Sequence, residues 1–277
     1  MQRIFKEIPL DCEIALIGDT HIGSYKSHES GVDAAIDFIA ADEDRYWAHL
    51  GDWIEAITTD DKRYECETTK QPIPLLQAKE VVDKFKRIAH KGLVGLLGNH
   101  ERKLHRFGNL VKHTICQDLK IPYGTFECRL ILAPPERNPL KLFLTHGTKV
   151  FKSSAPTQFQ KEANQQAQLK TYLLDKMGDS HLMCSGHAHW LAVVKPDNTL
   201  YLTDGEDGVK QHRLDKFPKG TGYIHPDSRY FCCSGSFYKL YVDGMSGYNE
   251  QYSPSDLGFL NVIIEGGQIV GVEKIIV

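Results

Sequence analysis

The hydrophobic positions of this chain follow one rhythm to about residue 120 and another after it. "CEIALIG" (12–18), "RYWAHLGD" (45–52) and "GLVGLLG" (92–98) are short apolar runs closing on glycine, the first two continuing into Gly-Asp. Runs of that length predict buried strands. Between the first two, Val32, Ile36 and Ile39 share one helical face of "SGVDAAIDFIAADED" (30–44), and "LLQAKEVVDKFKRIAH" (75–90) is helical in composition. Residues 54–74 are polar, with a "TTDD" cluster and two prolines, and predict a long loop. "ERKLHRFGNLVKHTICQDL" (101–119) predicts a helix interrupted near Gly108. Strand and helix alternating three times is the pattern of βαβ units around a parallel sheet.

The second rhythm is strand-rich. "GTFECRLILAP" and "PLKLFLTHG" predict a hairpin through "PPERN". Residues 156–177 predict a helix with Phe159, Ala163, Ala167, Leu174 and Met177 on its inner face. "SHLMCSGHAHWLAVV", "LYLTD", "RYFCCSGSFY", "GFLNVIIEGG" and "QIVGVEKIIV" are strand-like, and 204–228 is a Gly/Pro-rich loop. The expected fold class is α/β, a single domain over residues 1–277. Its second, more antiparallel sheet is expected to come from the C-terminal half.

Composition narrows the function classes. The chain has 277 residues, 41% hydrophobic and 25% charged, with a formal net charge of −3. No global basic field draws in nucleic acid or an acidic membrane, although a local patch remains open. No apolar run nears the roughly 20 residues that span a bilayer, and the N-terminus lacks a secretory apolar stretch. The seven cysteines are odd in number, scattered and without a CxxC pair. That pattern argues against a disulfide framework or a cysteine zinc site and points to a reducing, cytoplasmic setting. Cys184 and Cys232, inside apolar runs, are expected core residues.

Candidate chemistry sits at the strand ends, where α/β folds gather ligands. "LIGDTH" offers Asp19 and His21, "HLGDW" offers Asp52, and "LLGNHE" offers Asn99, His100 and Glu101. "FLTHG" offers His146, and "CSGHAHW" offers His187 and His189. Each cluster alone is an ordinary turn or helix cap, Glu101 for one suiting a helix N-terminus. Five strand ends carrying only carboxylate, imidazole and carboxamide groups are costly to gather unless something pairs them.

In order, Asp-x-His, Gly-Asp, Gly-Asn-His-Glu, His and Gly-His-x-His resemble the motifs of the calcineurin-like metallophosphoesterase superfamily. They cover residues 19–189. The resemblance implies a four-layer β-sandwich of two mixed sheets flanked by helices. It implies a two-metal site: Asp19, His21 and His189 on one divalent cation, Asn99, His146 and His187 on the other, and Asp52 bridging them. Mixed N/O ligands suit manganese first, with iron, zinc, cobalt or nickel as alternatives. The implied activity is phosphoester hydrolysis by a metal-bridging hydroxide, with His100 as the catalytic histidine.

The substrate is less marked. "GDWIE" lacks the Gly-Asp-x-x-Asp-Arg-Gly pattern of the Ser/Thr protein phosphatases. Two basic stretches are candidate phosphate contacts: Arg102, Lys103, His105 and Arg106, and Lys210, His212, Arg213, Lys216 and Lys219. Solvated surface is the favoured reading of each, and phosphate contact is the alternative. A phosphodiester substrate, including a nucleotide or nucleic acid partner, is the favoured reading. A phosphomonoesterase acting on a small metabolite or phosphoprotein, and a non-catalytic scaffold on the same fold, are the alternatives. The intact motifs weigh against the scaffold. No membrane partner is expected, and the oligomeric state stays open. Segments 54–74, 151–178 and 204–228 are expected to wall the cleft.

Overall fold

Along the first apolar run, Cys12, Ile14 and Leu16 alternate in direction with Ala15 and Ile17, and all five are buried. Such a strand must be covered on both faces. The computed structural model describes residues 1–197, 199–215, 222–245 and 254–277. In chain order it holds β1 (Gln2–Glu7), β2 (Cys12–Ile17), α1 (Glu29–Ala40), β3 (Arg45–His49), α2 (Pro74–Phe85), β4 (Gly92–Gly95) and α3 (Asn99–Arg102). There follow β5 (Glu127–Ala133), β6 (Leu140–Thr145), α4 (Gln158–Leu173), β7 (Leu182–Ser185) and β8 (Leu191–Val194). Last come β9 (Leu200–Gly205), β10 (Gly208–Arg213), β11 (Tyr230–Ser234), β12 (Gly258–Glu265) and β13 (Gln268–Ile276).

Two mixed sheets result, one ordered β1-β5-β6-β7-β11-β8 and one β13-β12-β2-β3-β4. Their inner faces share a core that includes Ile14, Leu16, Leu50, Leu96, Leu130, Leu144, Cys184, Cys232 and Leu260. The outer face of the five-stranded sheet, with Ala15, Ile17 and Trp47, packs on Val32 and Ile36 of α1 and Ala78, Val81 and Phe85 of α2. The outer face of the other sheet, with Phe143, Met183 and Phe231, packs on Leu169 and Leu173 of α4. The architecture is therefore the expected four layers: helices, sheet, sheet, helix. Among the described residues no helix is long and apolar enough to cross a membrane.

Several expectations are corrected. The sheets do not divide the chain into halves. β12 returns to pair antiparallel with β2, and β1 pairs parallel with β5. β1 escaped detection because only Ile4 of its six residues is buried. Residues 204–228 are not simply a loop: β10 pairs with β9 in an exposed hairpin. α4 buries Leu169 and Leu173, while Phe159 is 81% exposed. Leu174 and Met177 pack on the six-stranded sheet as expected, but Phe159, Ala163 and Ala167 face solvent, because the face α4 turns to the sheet carries Leu169 and Leu173. The break near Gly108 is present, at φ +109°.

His181, just before β7, ties that strand to β6 of the same sheet. Its Nδ1 accepts the Lys141 backbone N–H at 3.1 Å, so the ring is neutral there. Burial, then the Lys141 charge, push it down to about 4. The unfolded chain takes up this proton near its ordinary value of about 6.5 and the folded chain only near 4. Stability is thus intact above about pH 6.5 and is lost as pH falls towards 4, by about 2–3 kcal/mol. Urea unfolding at pH 7 and 4.5 should show that loss, and His181→Asn should flatten it.

Candidate metal centre

The six strands β2, β3, β4, β6, β7 and β11 end at one seam between the sheets. Asp19 and His21 follow β2, Asp52 follows β3, and Asn99 and His100 follow β4; His146 follows β6, and His187 and His189 follow β7. All the residues singled out as metal ligands, together with His100, meet here. Asp19, His21 and His189 form one group whose ligand atoms lie within 4.8 Å of one another, and Asp52, His146 and His187 form a second. Each group takes donors from both sheets. His21, Asp52 and His100 form a third set on the same criterion.

Getting these side chains to one point strains the backbone. Among the described residues nine non-glycine residues have positive φ, and five are Asp19, His21, Asp52, His187 and His189. Such conformations cost on the order of 1–3 kcal/mol each and persist where surroundings over-determine them. Two glycines allow the approach. A Cβ on Gly98 would lie 2.0 Å from Asp52 Oδ1, and one on Gly51 would lie 2.7 Å from the Gly98 backbone nitrogen. The "GD" and "GN" turns thus pack backbone to backbone, which no larger residue permits.

The donor set has a distinct electrostatic character. His21 Nδ1 is 2.8 Å from Glu55 Oε2, and His146 Nδ1 is 2.8 Å from the Leu50 carbonyl. Those acceptors place the ring proton on Nδ1 and leave each Nε2 as a lone pair. His21 Nε2 then faces His189 Nε2 at 3.2 Å and Asp52 Oδ2 at 3.9 Å. His146 Nε2 faces Asn99 Oδ1 at 2.8 Å and Asp52 Oδ2 at 3.4 Å. Asp19 Oδ1, buried, accepts no hydrogen bond, although His189 Nε2 is 3.3 Å away. Acceptors meeting acceptors in a buried place call for positive charge between them. Burial opposes charge on His21 and His146, yet the neighbouring carboxylates raise each to about 9. Burial likewise opposes charge on Asp52, but His146 and His100 hold its carboxyl well below its ordinary value. Protons or cations fill the same gaps, and the residues fit divalent metal.

Two supports, Glu55 and His49, were missed from the sequence, and a third, Glu101, was read there only as suiting a helix start. Glu55, buried in "GDWIE", orients His21, and its carbonyl meets His100 Nδ1 at 2.5 Å. An acid inside an otherwise apolar run was the available signal. Glu101 serves as a tie: its carboxylate accepts the Gly98 N–H at 2.9 Å and the Ile54 N–H at 3.0 Å. Fully buried His49 stacks on Trp53 with 3.5 Å between ring centroids. Its Nδ1 accepts the Gly51 N–H at 3.2 Å, and its Nε2 lies 3.3 Å from Thr20 Oγ1, linking two ligand turns. Removing the Glu55 carboxylate should cost metal affinity in the range of about 10–100-fold, as such supporting partners do. Calorimetric metal titration of Glu55→Ala checks this, with Glu55→Gln, which keeps an acceptor, expected to lose less.

Above the metal groups lies a cleft of about 810 Å³. Its walls include Val150 to Ser153, one face of α4 through Gln158, Lys161 and Gln165, and Arg63 of the 54–74 segment. Residues 204–228 line it nowhere among the described residues. β8 leads the chain away from the seam, so that segment emerges at the far end of the sheet. Leu240 and Pro254 to Asp256 contribute instead. Arg102, Lys103 and Arg106 are also absent from the walls. Arg106 pairs with Asp60 at 3.1 Å, and the Arg102 guanidinium lies 5.5 Å from the Phe126 ring centroid. Lys210, His212 and Arg213 lie on the distant hairpin, and Lys216 and Lys219 lie outside the described residues.

The model of the calcineurin-like phosphoesterase family matches residues 13–226. No curated protein matches. Among solved structures, the chain is similar to a predicted phosphoesterase from Streptococcus pneumoniae at 11% identity, over 92% of this chain and 84% of that one, with a TM-score of 0.35. It is similar to an NAD nucleotidase from Haemophilus influenzae at 12% identity, over 96% of this chain and about half (49%) of that one, TM-score 0.41. It is also similar to a nuclease from Pseudomonas putida at 13% identity, over 95% and 87%, TM-score 0.33. Likeness this distant bears on neither substrate nor partner. The family match, by contrast, runs from the strand before the first motif to well past the last, and this chain belongs to the calcineurin-like phosphoesterase family, as an enzyme that hydrolyses phosphoesters.

Proposed function

We propose that the chain is a binuclear metal-dependent phosphodiesterase. Asp19, His21 and His189 hold one cation, Asn99, His146 and His187 hold the other, and Asp52 serves both. Manganese suits this nitrogen and oxygen set best. The observation that carries the reading is the convergence of acceptors, with His21 Nε2 3.2 Å from His189 Nε2 and His146 Nε2 2.8 Å from Asn99 Oδ1.

Divalent cations there supply Lewis acidity, making water a nucleophile at neutral pH and offsetting charge on phosphoryl oxygens. The chain's own groups do the rest. Asp52 Oδ1 accepts the His100 backbone N–H at 2.9 Å and fixes where that residue stands. The Glu55 carbonyl accepts a hydrogen bond from His100 Nδ1–H, which leaves Nε2 to take a proton from solvent and pass it to the leaving oxygen. Glu55 and the Leu50 carbonyl hold the His21 and His146 rings in one tautomer.

The size of the cleft supports a diester: about 810 Å³ is near the upper end of the roughly 300–1,000 Å³ of ligand pockets, room for groups on both sides of a phosphate. The test is elemental analysis of the manganese-loaded chain with parallel assays on bis-p-nitrophenyl phosphate and p-nitrophenyl phosphate. Two metals per chain and faster diester hydrolysis are expected. Faster monoester hydrolysis would make it a phosphomonoesterase, and no hydrolysis with any divalent metal would make it a scaffold.

A further inference from the structure

The chain as a whole carries a formal charge of −3, yet its cleft has the opposite sign. Among the described residues outside the metal groups, the charged residues lining it are Arg63, itself paired with Asp61 at 2.8 Å, and Lys152, Lys161 and Lys274, against Glu162 and Asp256. The cations stand on both banks of the seam. Lys152 and Lys161 belong to the β6–α4 connection and to α4, which packs on the six-stranded sheet. Arg63 follows β3, and Lys274 lies on β13, both of the five-stranded sheet. One phosphate at the metal floor does not call for cations on two opposite walls. A chain of phosphates crossing the seam does.

A second observation is independent of charge. Trp190, next to His189, lines the cleft half-buried, and behind it buried Phe151 packs at 6.0 Å between ring centroids. A supported indole beside the scissile position offers a stacking face to an unpaired base. Cationic walls with an aromatic platform are how single strands are held without sequence preference. The bank bearing Lys152 and Lys161 is also built as a fixed wall. Gln165 Nε2 donates to the Phe151 carbonyl at 2.9 Å and Gln168 Nε2 to the Lys152 carbonyl at 2.7 Å. These bonds clamp Phe151 and Lys152 onto α4.

We infer that the cleft binds a single-stranded nucleic acid across the seam, with neighbouring phosphates at Lys152/Lys161 and at Arg63/Lys274 and a base on Trp190. This rests on the phosphodiesterase reading for the strand's orientation over the metal groups. Its binding is measurable without catalysis.

The experiment is fluorescence anisotropy of a labelled oligothymidylate with the metal-free protein at several salt concentrations. Lys152→Gln/Lys161→Gln should weaken binding about tenfold and reduce the salt slope by about 1.4, about 0.7 per lysine on a single strand. Trp190→Leu should weaken it about fivefold or more while leaving the salt slope unchanged. Inorganic polyphosphate should bind wild type and Trp190→Leu alike. Circular dichroism of each variant separates these effects from misfolding. Equal binding by wild type and the lysine variant, or equal affinity for a duplex of the same length, would overturn the inference. Wild-type hydrolysis of bis-p-nitrophenyl phosphate reads the parent function separately. Hydrolysis without oligonucleotide binding sinks this inference alone, and binding without hydrolysis sinks the phosphodiesterase reading alone.

Discussion

Asp52→Asn is expected to empty the metal centre while leaving the fold intact. Among the described residues Asp52 is the carboxylate that reaches both groups, with Oδ2 3.4 Å from His146 Nε2 and 3.9 Å from His21 Nε2. The amide of Asn is nearly the same shape but lacks the charge. With its oxygen on the His100 N–H, its NH₂ points at the imidazole lone pairs and donates to them. Hydrogen bonds then replace the positive charge that the acceptors call for. Metal affinity should fall by more than the roughly hundredfold that marks the loss of a supporting partner. Hydrolysis should fall with it, by about a thousandfold or more, since the charge neutralisation supplied by metal goes too. The melting temperature of the metal-free variant should match or exceed that of the metal-free parent. Elemental analysis and calorimetry check both halves. Unchanged metal content would refute the bridging role of Asp52.

His100→Ala is expected to separate chemistry from metal binding. Its ring stands edge-on to His21, 4.6 Å between centroids, and lines the cleft floor. Its Nδ1 is occupied by the Glu55 carbonyl, so Nε2 alone is available to substrate. Loss of a positioned proton donor costs about 10²–10⁴-fold in turnover. The backbone N–H that Asp52 uses survives the substitution. Metal content should therefore persist while kcat falls and KM changes little. The loss should be larger for a substrate with a poor leaving group than for bis-p-nitrophenyl phosphate, whose leaving oxygen needs little protonation. Equal losses on both would refute the proton-transfer role.

Both substituted residues are legible in the sequence, while two of their supports are not. Asp52 and His100 are visible in the sequence because a strand ending in Gly-Asp or Gly-Asn-His is local and its glycines are forced by close packing. Glu55 and His49 were not visible. Each lies within an apolar stretch, and its role depends on a partner tens of residues away: His21 for Glu55, Thr20 for His49. α4 shows the reverse error. Its apolar stripe of Phe159, Ala163 and Ala167 has helical spacing, but spacing does not say which face meets the core. That was decided by where Leu169 and Leu173 dock on Phe143 and Phe231.

The sequence by itself determined most strand and helix types, the α/β class and the order of the ligand segments, because hydrophobic period and turn chemistry are local properties; the four layers were implied by the resemblance of its motifs. Tertiary structure decided the rest. It sent β12 back to β2 and brought β1 to β5, since pairing depends on edges left open elsewhere. It put donors from both sheets into each metal group. It set the sign of the cleft, gathering Arg63, the pair Lys152 and Lys161, and Lys274 from three distant segments of a net-negative chain. Charge sums along a sequence are blind to such convergence, because the field in a cleft comes from the groups that face it.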